Sequence, residues 1–208
     1  MKTVQNYLQE MLDRNPKLQV VAQETNEAYE LLKEAYEQGG KLLTCGNGGS
    51  AADAEHIVGE LMKGFHLKRP IGGTKKAQLG ELADHLQEAL PAIALTQNQV
   101  LASAYANDVD PDMIFAQQVY GYGESKDVLI AITTSGNSRN VLYAAEVARK
   151  KNMKVIGFTG CEGGKLKELS DVCICVPETE TAYVQEKHII VYHTLCSMLE
   201  AHFFGERN

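Results

Sequence analysis

Residues 46–60 hold the side chains best suited to chemistry in this chain. Gly46-Asn47-Gly48-Gly49-Ser50 follows an apolar run, Leu42-Leu43-Thr44-Cys45, and opens a helical stretch. Such a strand-to-helix turn offers unhindered backbone N–H groups and the positive end of a helix to an anion. Ser50 is placed to cap that helix, with Asp53 three residues on. His56 and Glu60 follow at i and i+4 and so share a helix face. An anion grip beside an acid/base or metal-binding pair is the layout of an enzyme acting on sugar phosphates.

A second cradle is written as Thr133-Thr134-Ser135-Gly136-Asn137-Ser138, between an apolar strand and a helix starting near Asn140. Hydroxyls and a glycine at a helix N-terminus suit phosphate. Asn107-Asp108 is expected beyond a strand C-terminus, within reach of a ligand there. Gln185, His188 and His193 belong to the last helix, with Gln185 and His188 at i and i+3. His188 and His202 are given structural rather than catalytic parts. Cys173 and Cys175 alternate along a strand, which reads as buried thiols rather than a zinc site.

Rival motifs fail on their spacing. The dinucleotide fingerprint needs a third glycine where this chain has Gly49-Ser50-Ala51. Gly163-Gly164-Lys165 lacks the first P-loop glycine, since position 159 is Thr, and Leu166 replaces the magnesium-binding hydroxyl. No nucleotide cofactor is indicated. The net charge of −7 excludes a general nucleic-acid binder, which would be basic. No apolar run approaches the roughly 18 residues of a membrane span, and no apolar leader follows Lys2. The 5 cysteines, an odd number, suit free thiols in a reducing cytoplasm.

These residues need a scaffold, and the pattern supplies one. At 208 residues the chain is expected to form one domain. Residues 1–38 read as helix, broken at Asn15-Pro16 and ended by Gly39-Gly40. Apolar strands are then expected at Leu42–Cys45, Ala92–Leu95, Val128–Ile132, Val155–Phe158 and Val172–Val176. Helices are expected at 50–63, 98–106, 112–121, 138–151, 164–169 and from about 181 to 204. Short, continuous apolar strands alternating with helices predict an α/β fold, a doubly wound three-layer sandwich on a five-stranded parallel sheet of flavodoxin-like type. Residues 72–90 read as an insertion, with Leu79, Leu82, Leu86 and Leu90 sharing one helical face. It forms a surface helix or a flap, which would bring His66 or His85 toward a ligand.

The same residues carry a family resemblance over nearly the whole chain. Cys45-Gly46-Asn47-Gly48-Gly49-Ser50, Asp53-Ala54, His56, Glu60, Pro91–Leu95, Asn107-Asp108, Thr134–Ser138, Thr159-Gly160, Gly163-Gly164, Gln185-Glu186, His188 and His193 fall in the order found in the sugar isomerase (SIS) superfamily, and the chain resembles its phosphoheptose isomerase family. The resemblance implies a homotetramer with sites at subunit interfaces. It implies a single SIS domain interconverting sedoheptulose 7-phosphate and glycero-manno-heptose 7-phosphate, an early step toward nucleotide-activated heptoses. Substrate would be held by Asn47, Gly48, Gly49, Ser50, Asn107, Asp108, Thr133, Thr134, Ser135, Ser138 and Gln185. Glu60 and His193 would form the acid/base pair, in either order. Zinc would be held by His56, Glu60, Gln185 and His193, although Gln185 and His193 lie about 12 Å apart along an ideal helix. The chain departs from the family's pattern at the insertion, and at Ala182-Tyr183 where Asp-Arg is expected. Non-catalytic SIS modules, and isomerases of other phosphosugars, are the competing expectations. Holding His56, Glu60, Gln185 and His193 together favours the enzyme.

Overall fold

A computed structural model of the chain describes residues 2–205. Five parallel strands run in the order β2-β1-β3-β4-β5: β1 Leu42–Gly46, β2 Ala92–Ala94, β3 Val128–Ile132, β4 Lys154–Thr159 and β5 Val172–Cys175. Leu42 of β1 pairs with Ala92 on one side and Val128 on the other. β1 and β3 are buried throughout, as strands covered on both faces must be. Successive side chains point to opposite faces, so Leu42, Val128, Ile130 and Ile156 join one core, and Leu43, Leu129, Ala131 and Val155 the other.

The first core is closed by α1 Val4–Arg14, α2 Ala22–Glu37, α3 Gly49–Met62 and α9 Thr181–Phe204. The second is closed by α6 Ile114–Tyr122, α7 Arg139–Lys150 and α8 Gly164–Leu169. This is the expected three-layer sandwich. The long helix α9 has α1, α2 and α3 packed around it, and every residue from Thr194 to Glu200 is buried. Among the described residues no helix is long and apolar enough to cross a membrane.

Three details differ from the sequence reading. A 3₁₀ segment, Pro16–Val21, joins α1 to α2, because Pro16 stops the α-helix and restarts a tighter one. The insertion is not one helix. α4 Gly73–Leu79 ends where Gly80 turns to φ 59°, and a 3₁₀ segment, Gly80–His85, follows. Its leucines therefore do not line one face: Leu90 is buried, while Leu82 is 64% exposed. Third, α5 Gln99–Asp108 runs past its expected end, taking Asn107 and Asp108 into its last turn.

Candidate active site

The site is built where α3 and α9 lie side by side and run in the same direction. A Cβ on Gly49 would come within 2.6 Å of the Gln185 amide. One turn further along α3, Asp53 Oδ1 accepts from the Tyr192 hydroxyl at 3.2 Å. About a turn further along α3, His56 Nε2 faces His193 Nε2 at 3.3 Å. Glu60 Oε1 lies 3.2 Å from His56 Nε2, and Glu60 Oε2 accepts from Lys63 Nζ at 2.7 Å.

The hydrogen bonds orient His56. Tyr192 has one hydroxyl hydrogen and gives it to Asp53, so its oxygen accepts from His56 Nδ1–H at 3.0 Å. His56 Nε2 is then left with its lone pair, aimed at a carboxylate and at a second imidazole nitrogen. Three electron-rich atoms at contact distance call for a proton or a cation among them. Burial raises Glu60, but the hydrogen bond and charge of Lys63, with His56, outweigh it and bring its pKa below the ordinary value. Burial, helped by the nearby His56, lowers His193. At neutral pH the pair is a carboxylate and a neutral imidazole. Burial raises Asp53, against the pull of Tyr192 and His56.

The anion cradle is a cleft of about 290 Å³ lined by Asn47, Gly48, Gly49, Ser50, Ile132, Thr133, Thr134, Ser138, Thr181 and Gln185. Three helix N-termini meet in it: α3 at Gly49, α7 just after Ser138, and α9 at Thr181. None of the lining residues is basic, so an anion there would be met by helix ends, hydroxyls and amides. Ser50 does not cap α3. The cap is Gly48 at φ 55°, ψ −122°, a conformation only glycine adopts freely, and Ser50 sits buried inside the first turn. Ser138 Oγ lies 2.8 Å from Thr133 Oγ1 instead of capping α7.

Not every expected residue is gathered here. Asn107 and Asp108 are exposed and bonded to each other at 2.8 Å, outside the cleft lining. Ser135 turns its hydroxyl to the Asn137 backbone N–H at 3.2 Å. Gln185 sits on unbroken helix and lines the anion cleft; among the described residues no hydrogen bond joins it to His56, Glu60 or His193. His193 opens instead on a groove of about 380 Å³ between α1 and α9, with Tyr7, His66 and Ser197. His85, in the insertion, is in neither lining.

Sequence reasoning missed Tyr192, Lys63, Thr181 and Asn140. Asn140 exchanges two 2.8 Å hydrogen bonds with Asn47 across the cleft mouth. Lys63 was the one with a signal, being i+3 from Glu60. Also missed was Glu200, which accepts the backbone N–H groups of Phe65, His66 and Leu67 and the Arg69 guanidinium. That hub ties the 63–69 loop against α9 and places Phe65 beside the His193 ring, 5.4 Å between centroids.

Comparison with known proteins bears on this geometry. The SIS domain family profile matches residues 6–76 and 74–160. A phosphoheptose isomerase of Rhodospirillum rubrum is 44% identical over 174 residues, 84% of this chain and 83% of that protein. The chain belongs to the phosphoheptose isomerase family of SIS domain proteins. Two solved structures of this family agree. Phosphoheptose isomerase from Neisseria gonorrhoeae superposes with a TM-score of 0.75 at 34% identity, covering 92% of this chain and 94% of that one. The enzyme from Francisella tularensis gives 0.76 at 32%, covering 94% and 95%. The chain is thus a phosphosugar isomerase.

Proposed function

We propose that the protein interconverts sedoheptulose 7-phosphate and D-glycero-D-manno-heptose 7-phosphate through an enediolate, early in the making of nucleotide-activated heptoses. The observation that carries this is the placement, on one pair of parallel helices, of an anion cleft at one end and a carboxylate–imidazole pair further along. Gln185 in the cleft and His193 in the pair are separated by about 12 Å along α9, a span that suits an extended phosphosugar. The relatives' name supplies the heptose.

Isomerisation moves a proton from the carbon beside the carbonyl to the carbonyl carbon. Glu60, ionised and steadied by Lys63, takes the proton from the carbon beside the carbonyl. His193, neutral and half-buried, donates a proton to the developing enediolate oxygen; Glu60 then gives its proton to the former carbonyl carbon while His193 recovers a proton from the other enediol hydroxyl, so both groups end as they began. The cleft fixes the phosphate and hence the register of the reacting carbons.

Zinc belongs to this proposal. Among the described residues no group of three or more His, Cys, Asp or Glu side chains forms a ready metal cage. The contacts that exist fit zinc pairwise. The 3.3 Å and 3.2 Å separations from His56 Nε2 are close to the roughly 3.3 Å between ligands on a tetrahedral ion with bonds near 2.0–2.1 Å. Tyr192 and Asp53 orient His56 as the partners of a metal-bound histidine do. His56, Glu60 and His193 would hold the ion, with Gln185 reaching from the cleft. Bound there, zinc would polarise the sugar carbonyl.

The test is turnover on a panel of five- to seven-carbon phosphosugars, with metal analysis of protein purified without chelator. Preferred turnover of the seven-carbon ketose supports the assignment. A shorter sugar turned over much faster would replace the substrate. Absence of bound zinc, with full activity after chelation, would remove the metal. The cytoplasm is proposed as the site of action, supported by 5 free cysteines.

A further inference from the structure

A buried ion pair lies about two turns past the acid/base pair and has no part in the chemistry described. Arg69 and Glu200 are 2% and 1% exposed, and the guanidinium Nε and Nη2 both lie 2.9 Å from Glu200 Oε1. Glu200 is on α9, seven residues beyond His193. The other side of the guanidinium faces α3: Nη1 donates to the Leu61 carbonyl at 2.8 Å and Nη2 to the Glu60 carbonyl at 3.4 Å. Those carbonyls belong to the last turn of α3, which ends at Met62 and leaves its final C=O groups without helical partners. A cation is favoured at that end of a helix. The Phe204 ring covers the guanidinium, 4.4 Å from Cζ. One side chain thus joins the C-terminal turn of α3 to α9.

We propose, on the reading of Glu60 and His193 as the acid/base pair, that Arg69 and Glu200 are positioning residues: a strut that sets the separation and register of α3 and α9, and with them the placing of Glu60 against His193. The two helices have a fixed point at the other end. There Gly49 and Gln185 pack so closely that a Cβ on Gly49 would come within 2.6 Å of the amide. The 3.3 Å meeting of His56 and His193 lies between that contact and the strut. Among the described residues, Arg69 is the one side chain hydrogen-bonded both to the Glu60 backbone and to α9.

Stability alone does not call for this pair. Taking two charges out of water is costly, and apolar side chains of similar size often hold a fold as well or better. What the ion pair adds is direction. Glu200 also accepts the backbone N–H groups of Phe65 and His66 at 2.7 Å and of Leu67 at 3.1 Å, so both of its oxygens are engaged. The planar fork of Arg69 then fixes angle as well as distance. The same loop begins at Lys63, whose Nζ holds Glu60 Oε2 at 2.7 Å. The backbone and the carboxylate of Glu60 are therefore both held from one loop, and Glu200 anchors that loop to the helix of His193.

A double-mutant cycle tests the strut. Arg69→Met together with Glu200→Gln leaves no lone charge buried and keeps an oxygen for the loop N–H groups, so this double variant should fold, as circular dichroism would establish. Its kcat should fall by about 10²-fold, the cost that a misplacement of about 1 Å can carry. KM and inhibition by inorganic phosphate should stay near those of the unaltered protein, because the anion cleft lies at the other end of the helices. In a Glu60→Gln background the same two changes should slow turnover little further, because the strut acts through Glu60. Arg69→Lys keeps the charges paired but cannot reach Glu200 and both carbonyls at once, and should show the same split between kcat and KM in smaller measure. Losses that multiply with Glu60→Gln, or an unchanged kcat in the folded double variant, would overturn the proposal. Crystals of the metal-free protein give a readout that needs no substrate: the distance from His56 Nε2 to His193 Nε2 should be longer in the double variant than in the unaltered protein. An equal distance would overturn the strut. Undiminished turnover in Glu60→Gln would instead remove the acid/base reading, and the strut would stand or fall on that distance.

Discussion

At the scale of single residues, the chemistry rests on Glu60 being ionised and His193 neutral. Glu60→Gln keeps the shape and removes the base, and His193→Ala removes the imidazole. Each should lower kcat by about 10²–10⁴-fold, the range for loss of a general acid or base, with the far-ultraviolet circular dichroism unchanged. Wild-type turnover in either variant would remove that residue from the mechanism. Lys63 offers a finer test. Its hydrogen bond and charge, with His56, are what bring Glu60 below the ordinary carboxylate range against the effect of burial. Lys63→Met should raise the Glu60 pKa. Because the base works only when ionised, the acid limb of the kcat/KM profile should move to higher pH while the plateau changes less. A limb that stays in place would mean that Glu60 does not set it. Tyr192 belongs with these residues, because it fixes the tautomer that frees His56 Nε2.

At the scale of elements, three helix N-termini and two hydroxyl-bearing turns surround one cleft. Ser138→Ala removes a hydroxyl that contacts Thr133 and lines the cleft proposed to hold the phosphate. It should lower kcat/KM by about tenfold or more, since hydrogen bonds to charged groups contribute about 1.5–3 kcal/mol. Unchanged kcat/KM, or phosphate found away from the 133–138 turn in a co-crystal, would move the cradle elsewhere. A second prediction concerns α9. His188 is fully buried, with Nε2 3.1 Å from the Thr159 carbonyl. Burial lowers its pKa from 6.5 to about 4. A folded pKa below the unfolded one means that stability is complete above about 6.5 and falls as pH drops from there toward 4, by about 3 kcal/mol in all. Chemical denaturation at pH 7 and pH 4.5 should show this loss, and His188→Gln should lessen it. An equal pH dependence in the variant would assign the loss to other groups.

How much of this was legible follows from range. The strands could be read because runs such as Val128–Ile132 are apolar on both faces, and only a doubly covered sheet accepts them. The glycine turn and the His56–Glu60 spacing are local and were read directly. Ser50 was misread because the cap at Gly48 depends on a positive φ that the residue types around it only permit. The insertion leucines kept a helical spacing, but Gly80 breaks the helix between them. Tyr192, Asn140 and Glu200 act on partners more than ninety residues away in the chain, and no local pattern records such a meeting.

At the scale of the whole molecule, the site is open in a way that suits a larger assembly. His56 is 40% exposed, and His193 lines a groove between α1 and α9 rather than a closed pocket. An enediolate exposed to water invites loss of the intermediate, so such sites are usually covered. Val4, Leu8 and Leu12 of α1 pack on their own chain and remain half-buried. Beside them Val20 is 65% exposed. We propose that a second subunit of the homotetramer implied by the resemblance lies over the α1–α9 face, which would cover these groups and close the groove over His193. Light scattering should then give a mass about four times the 22.8 kDa chain. Specific activity should fall on dilution at the concentration where that mass falls, because each site would lose its cover. An active species at the mass of one chain, with activity independent of dilution, would show that one chain completes the site by itself.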